Sequence, residues 1–257
     1  MQRPLIAPLP TAAYHFDVRQ GSMKNDELKS TIAESIANGN RLTDDARTML
    51  DYERPPTAFA LAILAQEEYA KALILSLVDF GAVPWTHGVR TVLREHVCKQ
   101  LVSYILDYLC PDTDEFLKRM DPNQKGEANP IFPPDVLDAI HVICHERIPR
   151  ERERWWIDSG DRPIDSKVDN VAKAAVDQRK QNALYVGVGR DGRVSSLPGS
   201  IAIAEATTEF ERAERIGEQI RSTIDPQGLD WQKVVALFAL LTGSITPEQF
   251  NANWWAR

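Results

Sequence analysis

The most apolar stretch of the chain, AFALAILAQEEYAKALILSL (58–77), carries Glu67, Glu68 and Lys71 at its centre. Placed on a helix at about 100° per residue, Leu61, Leu64, Glu68, Ala72 and Leu75 share one face. Glu68 then lies in an apolar stripe, where an ionised carboxylate needs a partner. Lys71 stands at i+4 from Glu67 and i+3 from Glu68, the favourable order for a pair on a helix. One reading is a surface pair Glu67–Lys71 beside a satisfied structural Glu68. The other is a polar site buried between helices. The next periodic segment, HGVRTVLREHVCKQ (87–100), supplies partners of complementary type. Arg90 and Arg94 precede His96, with five residues between Arg90 and the histidine, and Lys99 follows three later. A histidine titrating near neutral pH can move the proton of a ribose 2′-hydroxyl, and fixed cations stabilise the charge that develops on a phosphorane. The same spacing also arises where a helix histidine is only structural.

Helices must position these groups. From Asn25, Leu28, Ile32, Ile36, Leu42, Ala46 and Leu50 recur at three- and four-residue steps, and Gly39-Asn40 bends this helix without having to end it. Pro55-Pro56 suits the first turn of a second helix running to about Phe80, with Gly81 as its stop. A third helix is expected from Gly88 to Cys110 on the stripe Val97, Leu101, Tyr104, Ile105 and Tyr108. Residues 111–134 hold five prolines and read as a long connection with one short helix near 114–120. PDVLDAIHVICHERI (134–148) is a further amphipathic helix, and SKVDNVAKAAVDQRKQNA (166–183) a solvated one. LYVGVGRDGRVSS alternates on either side of Asp191-Gly192, which predicts a small β-hairpin near 184–195. Helices are expected again over 200–224 and 230–243. The prediction is a mostly α fold: an extended arm over 1–22 and one helical domain over 23–257.

With 257 residues the chain can bury a sizeable core without staples. Its net charge of −7 and pI near 5.3 exclude a broadly basic nucleic-acid binder, though not a local basic site. Cys98, Cys110 and Cys144 form no CxxC pair, consistent with thiols in a reducing compartment. The first residues lack the apolar core of a secretory signal, and charges at the centre of 58–77 are costly in a bilayer. A soluble, cytoplasmic protein without membrane contact is expected. His141 and His145 stand at i,i+4 beside Cys144 and Glu146, a spacing that can hold zinc, but HEXXH is absent and no second ligand cluster follows. No metal or cofactor is expected. In PRERERWW (149–156) glutamates offset the arginines, which favours a solvated helix with Trp155 or Trp156 anchored in the core.

These segments together resemble the AbiV family of abortive-infection proteins in the HEPN superfamily. The family pattern A-x-x-LA-x-x-A-x-EE-x-x-K-A is matched by Ala58, Leu61-Ala62, Ala65, Glu67-Glu68, Lys71 and Ala72. Its His-x-x-Lys is matched by His96 and Lys99, and its charged helix running into LYV resembles RKQNALYV from Arg179. Gly187 departs from the pattern, which leads one to expect an acidic residue there. The resemblance covers about residues 28–200, leaving 201–257 as additional C-terminal helices. It implies a HEPN-like helical bundle acting in antiphage defence, either as a metal-independent endoribonuclease or as a non-catalytic interaction module. It further implies RNA as substrate, a homodimer, and a phage-encoded activator or host translation component as partner. In the nuclease reading His96 serves as acid or base and Arg90 and Lys99 hold the phosphate. Glu67, Glu68, Lys71 and Arg179 form the supporting polar cluster.

Overall fold

A computed structural model describes residues 25–79, 85–109, 136, 138, 139, 142, 143 and 164–224. The chain opens with two long antiparallel helices, α1 (Asn25–Asp51) and α2 (Pro55–Asp79), which share the most extensive packing of any pair. Asp26 and Glu27 complement the dipole at the start of α1, and Leu28, Ile32, Leu42 and Ala46 form its buried stripe. Gly39-Asn40 does not interrupt α1. Gly39 lies where the ring of Tyr69 crosses from α2, and a Cβ there would sit 2.5 Å from the ring. The helix α2 begins at Pro55-Pro56, as the sequence predicts, and is buried on nearly every side from Ala58 to Leu77. Each large side chain it removes from water contributes about 1.5–3 kcal/mol.

The expected single helix over 88–110 is divided into α3 (His87–Arg94) and α4 (His96–Leu109). Between them Glu95 takes extended backbone geometry, closing α3 through its N–H to Thr91 and starting α4 through its carbonyl to the Lys99 N–H. Glu95 is thus C-cap to one helix and first acceptor of the next, and its carboxylate also accepts from the Cys98 thiol. No glycine or proline marks this break, so residue types alone did not reveal it. Thr86 caps α3 by accepting from the Val89 N–H.

The expected helix over 166–183 is likewise divided, into α5 (Ser166–Ala172) and α6 (Ala175–Leu184). Asp165 caps α5 through Lys167 N–H and Val168 N–H, and Ala174 adopts a left-handed φ of 59° between the two helices. The predicted hairpin is present: β1 (Gly187–Val188) pairs antiparallel with β2 (Val194–Ser196). Gly192 supplies the φ of +77° its turn needs. A single 3-10 turn over Pro198–Ser200 leads into α7 (Ile203–Ile224), which packs on α2 and α1.

The main core runs from Leu42 and Ala46 of α1 through α2 to Leu101, Val102 and Ile105 of α4 and Ala213, Ile216 and Ile220 of α7. Val136, Ala139, Val142 and Ile143 also join it. A smaller cluster of Ala58, Phe59, Ile63, Ala183, Ile201 and Ala206 ties α6 and the start of α7 to the first turns of α2. Among the described residues no helix is long and apolar enough to cross a membrane. The expectations for the 1–22 arm, the 114–120 helix, His141, Cys144, His145, PRERERWW and the 230–243 helix lie outside the described residues.

Candidate active site

The polar centre of the molecule is Glu67, and this corrects the reading of α2. Leu61, Leu64, Glu68 and Lys71 are only half-buried, whereas Glu67 is 1% exposed. Periodicity put Glu68 in the apolar stripe, but neighbouring helices cover α2 more completely on the Glu67 side. Lys71 donates to both oxygens of Glu68 at 2.6 Å, not to Glu67. The Glu68–Lys71 pair is therefore satisfied within its own helix.

Three hydrogen-bonding groups and one further ammonium, from two other elements, surround the Glu67 carboxylate. From α4, His96 Nδ1 lies 2.5 Å from Oε2, and Lys99 Nζ 3.2 Å from the same oxygen. Gln100 Nε2, also from α4, donates to Oε1 at 3.0 Å. From α6, Lys180 Nζ donates to Oε1 at 2.8 Å. Oε1 thus accepts two hydrogen bonds, and Oε2 has one hydrogen bond and one ion pair. The helical repeat explains the α4 set, because His96, Lys99 and Gln100 sit at i, i+3 and i+4 and meet one spot on α2.

Burial alone raises the pKa of Glu67. The charge and hydrogen bond of Lys180, the charge of Lys99 and the hydrogen bond of His96 outweigh it, and the carboxyl titrates below its ordinary range. Glu67 is thus an anion, and the proton between Oε2 and Nδ1 belongs to the imidazole. The His96 side chain is half-exposed at 50%, while those of Glu67, Lys99 and Lys180 are nearly sealed. With Nδ1 turned inward, Nε2 is the ring nitrogen available to a ligand. A buried carboxylate orienting a histidine whose other nitrogen faces outward is a standard acid–base arrangement.

Lys180 has further neighbours. Its Nζ lies 2.8 Å from Asp177 Oδ1 and 3.2 Å from His96 Nδ1. Glu67, His96 and Asp177 place one ligand atom each within 4.8 Å of one another, a spacing that suits a metal ion. The Lys180 ammonium lies within 3.2 Å of all three groups.

The remaining predicted site residues lie apart from this cluster. Arg90 is exposed on α3, and its side chain has no hydrogen bond or ion pair among the described residues. The break at Glu95 also removes the basis for projecting Arg90 and His96 onto one continuous helix. Arg179 points away from its neighbour Lys180. It forms a two-pronged pair with Glu205, Nε to Oε1 at 2.9 Å and Nη2 to Oε2 at 2.8 Å, and donates to the Ser200 carbonyl. This pairing lowers the Glu205 pKa and raises that of Arg179. It clamps α6 to the start of α7. Lys180, Gln100 and Asp177 were missed by the sequence reading. The signal for Lys180 was its place in RKQNALYV, where Arg179 was chosen instead.

The described residues form a helical bundle with a short hairpin insert, built around a buried carboxylate that holds a half-exposed histidine. The family model for AbiV, HEPN_AbiV, matches residues 27–218, and the chain belongs to that family of abortive-infection proteins. No curated protein and no solved structure gives a significant match.

Proposed function

We propose that this protein is a metal-independent endoribonuclease acting in the cytoplasm in antiphage abortive infection, with His96 as the group that moves the proton. The observation that carries this reading is the contrast at one residue pair. Glu67 is buried and saturated, whereas the histidine it holds at 2.5 Å is half-open to solvent. A histidine serving only the fold has no need of that exposure. In the reaction a 2′-oxygen attacks the adjacent phosphorus and the 5′-oxygen leaves, producing a 2′,3′-cyclic phosphate and a 5′-hydroxyl. Nε2 of His96 accepts the 2′-hydroxyl proton or supplies one to the departing oxygen. In a homodimer the histidines of two copies divide these roles. Lys99 is paired with Glu67 in the interior, and Arg90, exposed on α3 as Arg94 also is, is the cation assigned to the phosphate.

A specific surface favours a second reading, a non-catalytic interaction module. Among the described residues, nearly all the large apolar side chains that stand exposed fall between Leu184 and Ile203, including Tyr185, Val186, Val188, Val194 and Leu197. Such a concentration suits contact with a protein, either a phage-encoded activator or a host translation component.

The test is cleavage of total cellular RNA by the purified protein in EDTA, beside folded His96→Ala and Arg90→Ala. Fragments ending in 2′,3′-cyclic phosphate from wild type alone support the nuclease reading and both assignments. Cleavage that survives both substitutions refutes the site. No cleavage by wild type, with phage protection in cells unaffected by His96→Ala, favours the interaction module.

A further inference from the structure

We propose that Lys180 is a positioning residue whose buried ammonium occupies the cation position defined by Glu67, Asp177 and His96, and that by holding Glu67 it fixes His96 with Nδ1–H inward and Nε2 outward. Lys180 is 6% exposed and its Nζ reaches one atom of each of the three groups. The ammonium thus stands where the spacing of those groups would suit a divalent ion. Lysine is a compact point charge with rotatable donors and no acceptor, so it can bridge two carboxylates where a planar guanidinium would not fit the same space.

The two lysines on Glu67 are not equivalent. Lys99 arrives from α4, the same helix as His96, and approaches the oxygen that the imidazole uses. Lys180 arrives from α6, binds the other oxygen and also meets Asp177. Withdrawing it leaves Gln100 as the one remaining donor on Oε1 among the described residues, and leaves Asp177 without its cation. Two buried acceptors near this point, Gln100 Oε1 and Asp177 Oδ1, have no aligned hydrogen-bond donor. Neither can take over the role of the ammonium in holding Glu67.

The consequence is tautomeric. Nδ1 of His96 lies between an acceptor, Glu67 Oε2, and a donor, Lys180 Nζ. The shorter contact to the carboxylate requires a proton on Nδ1 while Glu67 is anionic and in place. If the carboxylate swings free, the neutral ring returns to the mixed tautomers of an unconstrained imidazole, and Nε2 loses its standing as the free base. This rests on the reading of Nε2 as the reacting nitrogen only for its importance to catalysis; the geometry holds without it.

The test reads the ring by ¹⁵N NMR, with RNA cleavage measured in parallel. In wild type the neutral His96 ring shows the Nδ1–H pattern, and Lys180 gives a resolved ammonium resonance with contacts to that ring. In Lys180→Ala the pattern shifts to mixed tautomers. Propylammonium, which replaces the deleted atoms, restores it, and 1-propanol does not. Lys180→Met fills the same space without charge and shows the same loss if the alanine variant fails to fold. A folded variant that keeps the Nδ1–H pattern overturns the proposal, as does equal rescue by propanol. A wild-type protein lacking the Lys180–His96 contact overturns it without any substitution. An inactive wild type with the expected NMR pattern counts against the nuclease reading and leaves this proposal standing.

Discussion

Glu67→Gln is the sharpest perturbation of this molecule, because it changes a charge while preserving shape. The carboxylate is 1% exposed, is hydrogen-bonded to His96, Gln100 and Lys180, and forms an ion pair with Lys99. The amide keeps one oxygen and turns an NH2 toward donors already present, leaving Lys180 with half-buried Asp177 and the nearly sealed Lys99 without an ion-pair partner among the described residues. Removing one member of a buried ion pair costs about 3–5 kcal/mol, and Asp177 retains Lys180, so the lower end, about 3 kcal/mol, applies here. For a domain of this size that corresponds to a fall in melting temperature of about 6–12 °C. The pH dependence follows from the lowered pKa of Glu67. A depressed folded-state pKa stabilises fully above the unfolded value, about 4.3 for glutamate, and the stabilisation is lost as pH falls through the folded value. The gap between wild type and Glu67→Gln should therefore be constant from pH 7 to 5 and close only below about 4. Thermal melts followed by circular dichroism across this range provide the measurement. A variant melting within about 2 °C of wild type at pH 7 would refute the reasoning, since that is less than 1 kcal/mol for a domain this large. So would a gap that closes between pH 6 and 5.

Three further outcomes are expected elsewhere in the fold. Gly39→Ala drives a methyl into the Tyr69 ring and should destabilise by about 1–3 kcal/mol in denaturant titration, with Tyr69→Leu recovering part of the loss in a double-mutant cycle. Ala174→Gly relieves a left-handed alanine between α5 and α6 and should raise stability by about 1 kcal/mol, read as a higher urea midpoint. Arg179→Ala removes the clamp on Glu205 and Ser200; hydrogen exchange should quicken over 198–206 while the His96 ring resonances stay in place.

What the sequence made legible is governed by the range of the interactions involved. The helix α1, the proline start of α2, the Asp191-Gly192 hairpin and α7 rest on periodicity and turn chemistry, both local, and all are present. The breaks at Glu95 and Ala174 depend on single residues in non-helical geometry that no local breaker announces. The choice between Glu67 and Glu68 was a matter of one helical step, 100°, and turned on which neighbours cover α2, which is tertiary information. Lys180 is 113 residues from Glu67 in the chain, so nothing within either segment could pair them. Glycine was read in α1 as a bend, but its reason is the passage of the Tyr69 ring.

The polar residues of α2 show how site and fold are tied together. Glu67 takes partners from α4 and α6, Gln66 donates to the Glu209 carbonyl and carboxylate on α7, and Tyr69 bonds to Asn40 and reaches Thr43 on α1. Each buried polar group is satisfied by a different neighbouring element, so a slip of any one helix leaves an orphan in the core, at about 1–3 kcal/mol apiece. A helix buried on nearly all sides would otherwise have little to fix its rotation, and these groups supply that register. Loss of activity on changing Glu67, Lys99 or Gln100 therefore cannot separate catalysis from assembly. His96 and Arg90 can, because the imidazole is half-open, the guanidinium is exposed and has no polar partner among the described residues, and neither is needed to fill the core. A molecule retained only as a scaffold should tolerate both His96→Ala and Arg90→Ala with its biological effect intact. A nuclease should lose its effect in both variants, with the melting temperature unchanged in Arg90→Ala and lowered in His96→Ala only by the loss of one hydrogen bond to Glu67.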